Sequence, residues 1–382
     1  MPLPNLTPSW AATGMRNTRT RLLLVGIAAV LVLLWSTFYL FNWRKPPPWK
    51  WPPPYPNYYP HTPYRPQKPI PKYPRSNVPW LDTLSLTREV NISAMLASQP
   101  GKWDMFLDPI PELLYAPPPR THRCEDNAEF GPMLFVGVFT IAAEHKQRAV
   151  IRALQTLQSP PSEQVVMKFI LGRSPDASLQ SMAETEAEMY GDIVFLDIQE
   201  NMNEGKTYVY WKWVSKLPVG QQPRFALKAD SDTFLILPNV LHSLAPVPCS
   251  LPVYWGTSWG SCIETCYPLY CRGLSYGMSW PLISWLGQAD LPQWATEGME
   301  DARTGAWFGN LPQGEESLML VDLYTHAGDW DGTTITYDTD IVALHAMKNP
   351  QLYARVAAAM LQVWETAGRE WRWPPEGTEW ND

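Results

Sequence analysis

The chain has 382 residues, 45% of them hydrophobic, and 37 acidic side chains against 30 basic ones give it a formal charge of −7. A net acidic chain of this composition is a poor partner for nucleic acid. No Gly-x-Gly-x-x-Gly follows a strand, and no phosphate-loop Gly-x-x-x-x-Gly-Lys-Ser/Thr or Gly-x-Ser-x-Gly elbow occurs. Dinucleotide folds, P-loop ATPases and serine hydrolases of that type are therefore unsupported.

Residues 22–41 form an almost uninterrupted apolar run of about 20 residues, long enough to cross a bilayer as a helix. Arg16, Arg19 and Arg21 precede it and Arg44, Lys45 and Lys50 follow, so flanking charge leaves the orientation undecided. No small-x-small cleavage site follows the run, which reads as an uncleaved signal anchor with residues 1–21 as a cytosolic tail. Residues 42–123 carry about half of the chain's 40 prolines, as in Pro46-Pro-Pro-Trp-Lys-Trp-Pro-Pro-Pro-Tyr55. Proline removes an amide donor and fixes φ, so this segment is expected to form an extended stem that joins no sheet, with at most a short helix near Asn91. A proline-rich ligand for a partner domain is the alternative.

Five cysteines, at 124, 249, 262, 266 and 271, all follow the apolar run. No histidine run accompanies them, so disulfides in an oxidising lumen fit better than a zinc site, and the odd number leaves at least one thiol over. Asn91-Ile-Ser93 is a glycosylation sequon on the same side; Asn5-Leu-Thr7 falls on the cytosolic side and stays bare.

From residue 124 strands and helices alternate. Strands are predicted at 132–140, 165–171 and 192–196, helices at 143–158, 177–190 and 202–217, and a further strand enters at Phe225. Strands separated by helices need crossover connections, which predicts an α/β fold with a mainly parallel sheet flanked by helices. In such sheets ligands bind beyond the carboxyl ends of the strands. There the run Arg224-Phe-Ala-Leu-Lys-Ala-Asp-Ser-Asp-Thr-Phe-Leu-Ile-Leu237 breaks at Asp230 and Asp232. Alternation along a strand sends two carboxylates one residue apart to one side, toward a single hard cation. A plain Asp/Ser turn explains the same triplet.

The segments Phe135-Val-Gly-Val-Phe-Thr140, Arg148-Ala-Val-Ile-Arg152, Gly191-Asp-Ile-Val194, Leu227-Lys-Ala-Asp-Ser-Asp-Thr-Phe234, Tyr270-Cys-Arg-Gly-Leu-Ser-Tyr276 and Glu300-Asp-Ala-Arg-Thr-Gly305 follow one another in the chain. In that order the chain resembles the β-1,3-galactosyltransferase family of inverting, GT-A-fold glycosyltransferases, over about half its length. Glu200-Asn-Met-Asn-Glu-Gly-Lys-Thr-Tyr208 is similar to the fungal branch of that family. The resemblance implies a catalytic domain over 124–350 and a C-terminal extension over 351–382. It also implies a single-pass type II protein of the Golgi membrane with its catalytic domain in the lumen.

The resemblance further implies roles for individual residues. Asp232, with Asp230 beside it, would hold Mn²⁺ on the diphosphate of a UDP-sugar, and His345 in Asp340-Ile-Val-Ala-Leu-His-Ala-Met347 matches a late histidine ligand. A nitrogen beside carboxylates favours Mn²⁺ over Mg²⁺; a hydrogen-bonded core histidine is the alternative for His345. Arg148 and Arg152, four apart on one helical face, together with Lys228 and Ser231, would border the nucleotide, whereas a solvated basic face explains the arginines equally well. Lys206 matches a family lysine whose role is structural.

Asp301 would be the base that takes the acceptor proton, supported by Glu300, although an acidic pair at a helix start is favourable without catalysis. Ala302-Arg303 departs from the aliphatic residue usual in this motif, which bears on the acceptor. The donor expected is UDP-galactose and the acceptor a glycan on glycoprotein or glycolipid, with homodimers among the assemblies to test. Another UDP-hexose such as UDP-N-acetylglucosamine, or a non-catalytic luminal glycan-binding protein of the same fold, are the alternatives.

Overall fold

The structure, a computed structural model, describes residues 86–92, 109–114, 131–158, 164–259, 269–311, 317–331 and 335–369. The expected membrane anchor at 22–41, most of the stem, and Cys124, Cys262 and Cys266 lie outside the described residues. Among the described residues no helix is long and apolar enough to cross a membrane.

The strands are β1 (Thr87–Asn91), β2 (Leu134–Phe139), β3 (Val165–Arg173), β4 (Ile193–Gln199), β5 (Phe225–Asp230), β6 (Phe234–Leu235), β7 (Val253–Trp259), β8 (Tyr270–Ser279), β9 (Ser317–Asp322), β10 (Ala327–Asp329) and β11 (Ala343–His345). The longer helices are α1 (His145–Gln158), α2 (Ala177–Tyr190), α3 (Lys206–Val214), α4 (Leu237–Leu244), α5 (Trp280–Gln288), α6 (Glu300–Phe308) and α7 (Pro350–Thr366). Eight strands form one sheet in the order β1-β9-β7-β8-β5-β2-β3-β4. The half β5-β2-β3-β4 is parallel, as the alternation of strands and helices predicts. The other half is mixed: β8 runs antiparallel to both β5 and β7, while β7 and β9 are parallel. The expected mainly parallel sheet is therefore corrected to a mixed one, because the chain past β5 returns without a crossover helix for every strand.

Local signals explain the helix limits. Asp176 caps α2 by accepting from the amides of Ser178 at 2.8 Å and Leu179 at 3.1 Å, and Gly191, with φ of 65°, ends it in the left-handed conformation. Asn349 caps α7, where Pro350 opens the first turn.

Alternation along the central strands loads both sheet faces. Leu134, Val136, Val138, Leu227 and Ala229 face a core that includes Ile151 of α1 and Met360 of α7. Phe135, Phe139 and Ala226 face a second core with Tyr210 and Trp211 of α3, Trp285 of α5 and Trp307 of α6. Trp211, Trp285 and Trp307 are fully buried, each worth roughly 4–6 kcal/mol at about 25 cal/mol per Å² over the 150–250 Å² an aromatic side chain covers.

Two expectations about the flanks are corrected. The stem was expected to join no sheet, yet Thr87–Asn91 is the edge strand β1, antiparallel to β9 from Thr87↔Val321 to Asn91↔Ser317. Its sequence, Thr-Arg-Glu-Val-Asn, lies in the longest stretch of that region free of proline, so its amides are available to the ladder. The part of the C-terminal extension that forms α7 likewise packs on the domain: Tyr353, Met360 and Trp364 are buried, and Tyr353 Oη donates to the Thr233 carbonyl at 2.9 Å.

Candidate active site

β5 ends the parallel half of the sheet, and the face it turns toward α3 and α6 carries Ala226, Lys228 and Asp230 in alternation. The strand stops at Asp230. A tight turn follows, closed by the Thr233 amide donating to the Asp230 carbonyl at 2.9 Å, so Asp232 leaves from the turn and not from the strand. The turn reading of the triplet is the one observed. After the turn, β6 joins a three-stranded sheet, β10-β11-β6. Antiparallel pairing of Phe234 with Leu344 brings His345 beside Asp232. Asp230, Asp232 and His345 each offer an atom within 4.8 Å of the others.

Ala346, at φ 70°, is the one described non-glycine residue in the left-handed region. That conformation costs roughly 1–3 kcal/mol, and here it reverses the chain just past His345. The Met347 amide then donates to the Asp232 carbonyl at 3.1 Å, and the Lys348 ammonium pairs with the Asp232 carboxylate. Lys348 keeps 73% of its side chain exposed, so its ammonium can leave. A donor set of two carboxylates and one imidazole, already carrying an exchangeable cation, suits a divalent ion of the Mn²⁺ type.

The second acidic pair opens α6. Glu300 is buried and its carboxylate is filled: Lys228 donates to Oε1 at 2.8 Å, while Tyr276 Oη at 2.5 Å and Thr207 Oγ1 at 3.2 Å donate to Oε2. Asp301 is held, among the described residues, by amides alone, Gly273 N–H to Oδ2 and its neighbour Ala302 N–H to Oδ1, both at 2.8 Å. Gly273 is required by this approach, since a Cβ there would sit 3.0 Å from Glu300 Oε1 and 3.4 Å from Asp301 Oδ2.

Lys228 joins the two pairs. Its buried ammonium donates to Asp230 Oδ1 at 2.6 Å, to Glu300 Oε1 at 2.8 Å and to the Gly273 carbonyl at 2.8 Å. Burial alone would lower its pKa, but the two carboxylates outweigh it and hold the ammonium above the ordinary lysine value. Burial raises the Asp230 carboxyl, a shift that Lys228 opposes. Asp301 is raised by burial too, against Lys228 and the two amides.

The remaining expected site residues take other places. Arg148 is fully buried and spends its guanidinium on Glu186 at 2.6 Å, on Thr140 Oγ1 and on the Ile141 and Ala142 carbonyls. Arg152 pairs with Glu186 at 2.6 Å and Asp192 at 2.7 Å. The shared helical face is real, and what it meets in the structure is α2 and the turn into β4. Lys228 is engaged by the two carboxylates Asp230 and Glu300. Ser231 Oγ donates to Glu144 Oε2 at 2.8 Å, which orients the turn between the two aspartates. Lys206 pairs with Glu200 at 2.6 Å, consistent with a structural role. Asn91 stands half-buried at the end of the edge strand β1. Cys249 is disulfide-bonded and Cys271 is a buried free thiol.

Three residues of the site escaped the sequence: Lys348, Glu144 and Asp329, whose Oδ1 lies 2.7 Å from His345 Nδ1. None sits in a recognisable motif, and each gains meaning only by contact.

The fold and site define an α/β protein with a candidate cation site and an adjacent carboxylate at the carboxyl end of β5. Residues 146–248 match the family model described as Galactosyltransferase. Similar curated proteins are the hydroxyproline O-galactosyltransferase GALT2 of Arabidopsis thaliana, 25% identical over 54% of this chain and 32% of its own length, and beta-1,3-galactosyltransferase 1 of Mus musculus, 27% identical over 32% and 37%. The probable beta-1,3-galactosyltransferase 12 of Arabidopsis thaliana is 28% identical over 45% of this chain and 53% of its own. The matched stretch spans about a third of the first two relatives' length. Among solved structures, the galactosyltransferase LgtC bound to donor and acceptor sugar analogs overlaps 59% of this chain and 96% of its own at 10% identity and TM-score 0.36. A mannosyltransferase from Pyrobaculum calidifontis bound to GDP-Man and Mn²⁺ overlaps 52% of this chain and 55% of its own at 12% identity and TM-score 0.30. Likenesses this loose carry no detail of the site.

Proposed function

We propose that the protein is a hexosyltransferase that moves galactose from UDP-galactose to a glycan acceptor in β-1,3 linkage with inversion, dependent on Mn²⁺. The observation that carries this reading is Lys228, which ties a three-ligand cation site and a desolvated carboxylate into one locus at the sheet's carboxyl edge. Asp230, Asp232 and His345 would hold the ion, which when bound offsets the charge that develops on the departing diphosphate. Asp301 accepts the proton of the acceptor hydroxyl as that oxygen bonds to the anomeric carbon and the bond from that carbon to the UDP oxygen breaks. Its raised pKa makes it a stronger base than an ordinary aspartate. Each of its oxygens keeps a lone pair beyond the amide it accepts from. Glu300 has none of that freedom; it holds Lys228 and does not exchange protons with substrate.

The apolar run at 22–41 and the sequon at Asn91 support a type II anchor in the Golgi membrane with the catalytic domain luminal. Two further readings of the site are another UDP-hexose as donor, such as UDP-N-acetylglucosamine, and a binding protein without turnover. A donor screen separates them: the full chain is incubated with each UDP-sugar and Mn²⁺ and release of UDP is followed, with Asp232→Asn and chelated samples beside it. UDP release from UDP-galactose that both Asp232→Asn and chelation abolish is expected. Equal, metal-independent UDP-sugar binding without release in all samples would overturn the enzyme reading.

A further inference from the structure

The two ring nitrogens of His345 have different partners. Nε2 faces Asp232 Oδ1 at 3.5 Å, on the side of the cation site, and Nδ1 lies 2.7 Å from Asp329 Oδ1. An ionised carboxylate can only accept, so in the neutral ring the hydrogen of that short contact sits on Nδ1 and the lone pair on Nε2. Backbone pairing sets this contact up: β10 and β11 run parallel with Asp329 opposite His345, each at the end of its strand. Asp329 is itself backed, since its second oxygen pairs with Arg272 Nη2 at 3.5 Å. Arg272 precedes Gly273, whose amide holds Asp301.

We propose that Asp329 is a positioning residue of the cation site: it fixes His345 in the Nδ1–H tautomer and the ring orientation that present Nε2 beside Asp230 and Asp232, with Arg272 holding Asp329 in place. The inference rests on the cation-site reading given above. Asp329 touches neither the ion nor the reacting atoms. Its effect travels through one imidazole. Carboxylates that orient a ligating histidine in this way change metal affinity by about 10–100-fold when lost. An asparagine at 329 keeps the shape but offers an amide donor as readily as an acceptor, so the ring can turn or exchange tautomers and put a hydrogen where the ion should bind.

The test uses the full chain in detergent and Mn²⁺ alone, without nucleotide. Titration calorimetry compares wild type, Asp329→Asn, His345→Ala and the double variant. In parallel, ¹⁵N-histidine spectra of the metal-free protein at pH 7.5 identify the His345 tautomer. The expected result is an Nδ1–H ring in wild type, loss of that single tautomer in Asp329→Asn, Mn²⁺ binding weakened about 10–100-fold, and no further loss when Asp329→Asn is added to His345→Ala. Arg272→Gln should weaken Mn²⁺ less than Asp329→Asn does. An Nε2–H tautomer in wild type overturns the proposal without any variant, which covers an Asp329→Asn protein that does not fold. Unchanged Mn²⁺ affinity in a folded Asp329→Asn protein also overturns it and leaves the cation site standing. Absence of Mn²⁺ uptake by wild type removes the cation site and this role with it.

Discussion

The two acidic pairs, Asp230 with Asp232 and Glu300 with Asp301, have the same charge and open onto the same locus, yet their surroundings fit them for different chemistry. Asp232 is neutralised by an exposed ammonium and faces an imidazole, partners that a divalent ion can displace or share. Among the described residues Asp301 accepts hydrogen bonds only from backbone amides, which cannot leave and carry no formal charge. The first arrangement accommodates a cation; the second leaves a desolvated carboxylate whose remaining favourable act is to take a proton. Lys228 keeps them apart by neutralising the inner member of each pair, Asp230 and Glu300. Four carboxylates without it would be one cluster with coupled protons.

The comparison breaks most directly at Asp301. Asp301→Asn keeps the shape and the Gly273 contact, and should lower kcat by roughly 10²–10⁴-fold while Mn²⁺ and UDP-sugar affinities stay near wild type. Its carboxyl titrates above the unfolded value, so its contribution to stability is present at low pH and lost as pH rises through the raised value. At pH 7.5 the ionised group is a cost that asparagine removes, and scanning calorimetry should show no fall in Tm. A lower Tm with full turnover would instead mark Asp301 as a helix-start charge. The same shift places the acid limb of the kcat/KM profile above about 4, the ordinary aspartate value; a limb at or below that value argues for another base.

Lys228→Met tests the divider. It leaves Asp230 and Glu300 facing each other without a cation, and breaking a buried pair in this way costs about 3–5 kcal/mol, measurable by urea denaturation at pH 7.5. Lowering the pH should return part of that loss, because a proton can then replace the ammonium. A Lys228→Met protein as stable as wild type would show that the two sites do not depend on a shared charge.

The smallest effect sharpens the cation side. Lys348 is largely exposed, and such an ion pair is worth about 0.2–1 kcal/mol. Lys348→Gln removes a competitor for Asp232 and should tighten Mn²⁺ binding by up to about fivefold in calorimetry. Weaker binding would mean that the ammonium assists the ion.

Much of the site was legible because it is local. Asp301 and His345 were singled out only by the family resemblance, but the Asp-Ser-Asp turn at the end of an apolar strand is a pattern of neighbouring residues. So is the alternation that built the parallel half of the sheet. The four-residue spacing of Arg148 and Arg152 correctly placed both on one helical face. Spacing could not name what that face meets, which is Glu186 and Asp192 on segments some 40 positions away.

What only the tertiary structure decided depends on contacts between distant segments. Strand β1 exists because β9, more than two hundred residues later, offers it a ladder, and composition around it pointed to a stem. Glu300 and Asp301 are adjacent in sequence, yet one is saturated and the other is not, since Lys228, Tyr276 and Thr207 arrive from other elements to reach only the first. Asp329 gains its place beside His345 from a parallel register between two three-residue strands. The sequence by itself determined which residue types could hold a cation or accept a proton, because those are properties of the side chains. Burial and hydrogen-bond partners decided which of them are left with capacity to act, and those are set only when the chain closes on itself.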